Sequence, residues 1–166
     1  MNMSWTEVQA LGVKAAGGAG VPPAQALAFG AMLARHVADG GPQGAVSAAL
    51  ERPEAIVDLA HRVETIVEAA SVSARPVKAT EDDPGTRAML VSWLSGLPCL
   101  AELDVSGPRI SVRLSLTDPS TRKRPDRLVL DAALLAQLND LAERTYVPDS
   151  DASRNGGAGA GLMELD

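Results

Sequence analysis

The chain has 166 residues and a formal net charge of −6, with 46% hydrophobic, 22% charged and 2% aromatic residues. This is the balance of one ordinary domain, long enough to bury a core of Leu, Val and Ala. An acidic chain with few stacking rings speaks against a general nucleic-acid role, and no apolar run approaches the roughly 20 residues that span a bilayer.

Ser4-Trp5-Thr6-Glu7 reads as a capping box, the Ser4 hydroxyl taking the Glu7 N–H while the Glu7 carboxylate reaches back. The helix it opens carries Trp5, Val8, Leu11, Gly12, Ala15 and Ala16 on one face, and the glycines at 17, 18 and 20 end it. Pro22 and Pro23 suit the first turn of a second helix, expected to reach Ala38. Its buried face is read as Leu27, Gly30, Ala31, Ala34 and Val37. Phe29 and Met32 then fall on the opposite side beside His36, which reads as a second contact surface and a self-association interface; packing within the same chain is the competing reading. Pro42 opens a short third helix through Leu50. Pro53 opens a fourth to about Ala70, with Ile56, Leu59, Ala60, Val63, Ile66 and Val67 in one stripe.

Residues 71–85 read as a loop with a short strand at Val77. The apolar stretch 86–103 favours a buried helix broken by Gly96 and Pro98, with a strand pair as the alternative. Ile110, Val112, Leu114 and Leu116 alternate with Arg109, Ser111, Arg113 and Ser115, the period of a half-buried strand. Its expected partner is residues 127–130, in a local hairpin with Ile110, Val112 and Leu114 facing the core. Asp131 is placed to cap a last helix bearing Leu134, Leu135, Leu138, Leu141 and Ala142 on one face. The fold class is therefore α+β in a single domain over 1–166: a helical half over 1–70, and a mixed half over 71–166 with a β-hairpin, a C-terminal helix and a Gly-rich loop.

Candidate chemistry concentrates at the C-terminal end. Tyr146, Ser150, Ser153 and Arg154 lead into a run that includes Gly157 and Gly159. Polar groups beside close-approaching glycine backbone suit a small anionic ligand, with Arg154 as the bidentate anchor; a plain Gly/Ala tail is the competing reading. Thr121 to Arg127 is a basic run in an acidic protein. With Arg109 and Arg113 it could form a cationic patch, but a charged hairpin tip that guards a sheet edge is the preferred reading. His61, between Asp58 and Glu64 on the polar side of the fourth helix, reads as a solvated, ion-paired face, and no metal site is assigned. The lone Cys99 excludes an internal disulfide, fits a reducing cytoplasm and reads as a small buried hydrophobe. Glu81-Asp82-Asp83 reads as a solvated acidic loop.

The strings Ser4-x-x-Glu7-Val8-x-x-Leu11, Lys14-Ala15-Ala16-x-Gly18-Ala19-Gly20 and Thr145-Tyr146-Val147-Pro148-x-Ser150-x-x-Ser153-Arg154-x-x-Gly157-Ala158-Gly159-Ala160-Gly161 resemble a bacterial family known only as a domain of unknown function. The resemblance implies no activity and directs attention to the C-terminal residues. The expected protein is a cytoplasmic, non-catalytic assembly or small-ligand-binding protein. It is expected to be a homo-oligomer with no cofactor, no nucleic-acid partner and no membrane. A small cofactor-independent enzyme acting on an anionic metabolite is the alternative.

Overall fold

The computed structural model describes residues 1–145. The order of elements is β1 (Asn2–Met3), α1 (Trp5–Ala19), α2 (Pro23–Ala38), α3 (Gln43–Leu50), α4 (Pro53–Val72), β2 (Val77–Thr80), α5 (Pro84–Ser95), β3 (Cys99–Ser106), β4 (Arg109–Pro119), β5 (Leu128–Val129) and α6 (Ala132–Glu143). The fold is α+β with a helical N-terminal half, as the sequence implies. No helix among the described residues is long and apolar enough to cross a membrane.

The helix ends follow their local chemistry. Ser4 Oγ accepts the Glu7 N–H at 3.2 Å and the Ser4 N–H donates to Glu7 Oε2 at 2.6 Å, so the capping box of α1 forms in both directions. Gly20 closes α1 in the left-handed conformation, with φ of 98°. Proline stands at the first turn of α2, α4 and α5, where a missing N–H costs nothing. Asp131 stands at the cap position of α6 without a side-chain cap bond.

Helix α2 departs most from its sequence reading. A two-sided helix puts Phe29, Met32 and His36 at an outer surface. In the fold Phe29 and His36 are fully buried and Met32 is 1% exposed, all inside the one chain, whereas Leu27, assigned to the core, is 60% exposed. The physical reason is that α1, α4 and α5 pack around α2, so elements distant in sequence cover both its sides. Phe29, Met32 and His36 therefore offer no surface to a second copy. The crossing of α1 and α2 is made by Gly12 and Gly30. A β-carbon on Gly12 would stand 2.8 Å from Leu33 Cδ2, and one on Gly30 would reach the Gln9 carbonyl oxygen. Backbones approach this closely only where both residues lack a side chain.

The sheets correct the second expectation. Residues 109–116 do not pair with 127–130. β4 is the central strand of an antiparallel sheet ordered β2-β4-β3, and β5 pairs instead with β1, Asn2 opposite Val129 and Met3 opposite Leu128. The hairpin is β3–β4, turned by Gly107 and Pro108, with Gly107 at φ of 56°. The apolar stretch 86–103 divides accordingly, the helix ending at Ser95 and the strand beginning at Cys99. The expected facing of β4 holds: Ile110 and Val112 are fully buried, and Leu114 is half-buried. Val112 lies opposite Val77 on one side and Leu103 on the other, and α4 covers this face. One core cluster runs from Val8 in α1 to Leu141 in α6.

Candidate anion-binding site

The expected ligand residues Tyr146, Ser150, Ser153, Arg154, Gly157 and Gly159 lie outside the described residues. Among the described residues, charged chemistry converges elsewhere. A cavity of about 340 Å³ opens where the start of α1, the last turn of α2, the end of α5 and the segment after β4 meet. Its walls include Trp5, Arg35, Ser95, Ser120, Arg122 and Arg124.

Arg35 is the inner wall. It sits in the last turn of α2, where a cation complements the helix dipole, and is only 5% exposed. Its Nη2 donates to Asp39 Oδ1 at 2.6 Å, one helical turn on, and its Nη1 donates to the Lys123 carbonyl at 2.9 Å. Its guanidinium carbon lies 5.3 Å from the centre of the Trp5 ring. The Arg35 Nε–H is buried and has no hydrogen-bond partner among the described residues. A buried donor left unmatched costs about 1–3 kcal/mol, which makes this corner of the fold short of an acceptor.

The outer wall comes from the basic run. Arg122 Nη1 stands 3.8 Å from Asp39 Oδ1, the oxygen that Arg35 already holds, and its side chain is 52% exposed. The Arg124 guanidinium carbon is 5.3 Å from the same Trp5 ring, and Arg124 is exposed. Stacking a guanidinium on an indole contributes on the order of 1 kcal/mol and holds the fork in place while leaving its N–H edge available. Ser120 Oγ accepts the Arg122 N–H at 3.3 Å, and the buried Ser95 Oγ stands 3.4 Å from Asp39 Oδ2. Two guanidinium groups thus meet at one carboxylate and a third stacks on the adjoining Trp5 ring, in a chain whose net charge is −6.

The basic run is therefore neither a hairpin tip nor a patch shared with Arg109 and Arg113. Residues 120–127 link β4 to β5 and cross Trp5 and Arg35. Arg113 lies opposite Glu102, and Arg109 opposite Ser106 at the far end of β4 from Pro119.

His36, beside Arg35 in sequence, has a different role. Its Nε2 is 3.2 Å from the Pro42 carbonyl oxygen and its Nδ1 is 2.9 Å from Ser92 Oγ. A carbonyl only accepts, so Nε2 carries a proton towards Pro42, while the Ser92 hydroxyl, which donates to the Ala88 carbonyl at 2.9 Å, stands against Nδ1. Burial pushes its pKa below the ordinary histidine value, with the Pro42 and Ala88 backbone groups and Asp39 opposing more weakly. A β-carbon on Gly41 would overlap the ring, so the α2–α3 turn is moulded on it. His36 thus joins α2, α5 and that turn and exposes no edge for substrate chemistry.

The remaining candidates are structural. His61 Nδ1 meets Glu64 Oε2 at 3.2 Å on an exposed helix face. Cys99 is half-buried at the start of β3. In the acidic loop Asp83 Oδ1 accepts the Thr86 N–H at 2.7 Å and caps α5, which holds its pKa below the ordinary value; Glu81 pairs with Arg62. A larger cavity of about 680 Å³ beside this cap has a largely apolar wall that includes Ala45, Ala48, Ala49, Leu59 and Met89, and its helix amide is already taken by Asp83. Sequence reasoning missed Trp5, Arg35 and Asp39 as site residues. The Arg35–Asp39 spacing of four was the one local signal. No protein-family model matches the chain, and no curated protein or solved structure matches it.

Proposed function

We propose that this chain is a non-catalytic binding protein for a small anionic molecule, held in the pocket of Trp5, Arg35, Arg122 and Arg124. The observation that carries the reading is the buried, dipole-aligned Arg35. Asp39 and Trp5 hold it in place, and two further guanidinium groups stand at the mouth. Arg forks meet carboxylate or phosphate oxygens with two parallel bonds, and a cavity of about 340 Å³ suits a metabolite-sized ligand. The C-terminal run with Arg154 is the other anion-binding proposal from the sequence, and Arg154→Ala serves as its own control.

Calorimetry and Trp fluorescence with inorganic phosphate and citrate test the pocket, since Trp5 stands against two of the binding groups. Binding is expected to change Trp emission and to weaken by about tenfold in Arg124→Gln, the loss of one charge-assisted bond. Full affinity in Arg122→Gln and Arg124→Gln, with loss in Arg154→Ala, would move the site to the C-terminal run. Turnover of an anionic metabolite that depends on these arginines would replace the binding reading with the enzymatic one.

A further inference from the structure

We infer that the ligand of this pocket is a small molecule carrying one phosphate monoester, bound as its dianion. This rests on the reading of the pocket as an anion site. Arg35 and Asp39 form a fixed inner pair, 2.6 Å apart and with Arg35 deeply buried, so their charges cancel locally. Arg122 and Arg124 are exposed and supply two positive charges at the mouth. Arg122 is held at 3.8 Å from Asp39, a loose pair that an incoming anion can displace. Two charges on neighbouring segment residues match one group of charge near −2.

The geometry favours a compact group over two separated carboxylates. Arg35 and Arg122 both stand at the single oxygen Oδ1 of Asp39, so the two guanidinium groups lie close enough together for one compact group to lie against both. Phosphate presents three acceptor oxygens there. Trp5, Leu97, Pro98 and Pro119 give the rest of the cavity an apolar lining for the organic part of the ligand.

The test is calorimetry on the full chain with phenyl phosphate, benzoate, succinate and sulfate. Phenyl phosphate is expected to bind at least about tenfold more tightly than benzoate or succinate. Its affinity is expected to fall about tenfold from about pH 7.5 to about pH 5, because a monoester takes up its second proton near pH 6. Sulfate keeps its charge over that range, so its affinity is expected to stay level, which also shows that the pocket remains folded. Arg122→Gln and Arg124→Gln are each expected to abolish the preference for phenyl phosphate; both side chains are exposed, so both variants keep the fold. Benzoate or succinate binding as tightly as phenyl phosphate would overturn the phosphate assignment and leave the anion site standing. Absence of binding by all four would overturn both.

Discussion

Single side chains show what burial does to charge in this protein. Arg35 is accommodated in the interior because Asp39 and the Lys123 carbonyl take two of its donors and the Trp5 ring lies against it. His36 stays neutral for the opposite reason: carbonyl and hydroxyl groups meet its ring, and burial penalises the imidazolium. The folded state therefore binds this proton more weakly than the unfolded chain does. The contribution is complete above the ordinary histidine value of 6.5 and is lost as pH falls below it towards the depressed folded value. Urea unfolding between about pH 7.5 and about pH 5 is expected to show stability falling by up to about 1.4 kcal/mol per pH unit from this one group. His36→Gln is expected to be less stable at neutral pH but to lose that slope. A variant with the wild-type slope would place the pH dependence on another group.

Elements are held by partners that the local pattern does not name. The alternation in β4 assigns Ile110 and Val112 to the core, and both are fully buried. It does not say that β2 and β3 flank the strand. Gly107-Pro108, between the alternating runs at 101–106 and 109–114, was the signal for the hairpin. The two-residue connection it makes closes far more readily than the span from β4 to β5. Val112→Asp is expected to lower stability by several kcal/mol, since it would leave a carboxylate unmatched between Val77, Leu103 and α4. A wild-type melting curve for this variant would mean that the β4 register is off by one residue.

At the scale of the whole molecule, the helical and mixed halves share one core. α6 packs on α1, and β1 at the start of the chain pairs with β5 just before α6. Residues 120–127 bring Arg122 and Arg124 across the first helix only because β4 and β5 are anchored in different sheets. Helix content by circular dichroism and Trp emission are therefore expected to lose signal at the same urea concentration, with Trp5 reporting the pocket and Trp93 the core. Two separated transitions would mean that residues 1–70 fold as a unit of their own.

By itself the sequence determined the features that act over a few residues. The Ser4–Glu7 box, the prolines that open helices, the apolar stripe of α4 and the alternation of β4 all read through to the structure, because caps and side-chain periods are local. The weakly aromatic composition likewise made the core mainly aliphatic, with Phe29 and Trp93 its aromatic members. Only the tertiary structure decided which strands pair, because every strand offers the same backbone hydrogen bonds and loop closure and core coverage select among them. It alone buried Phe29, Met32 and His36, since α1, α4 and α5 enclose α2 from several sides and a helix period marks only one. It alone brought Trp5, Arg35, Arg122 and Arg124 together. Their attraction becomes strong only at a few ångströms in a partly dry cavity, a distance the packing of the whole chain sets.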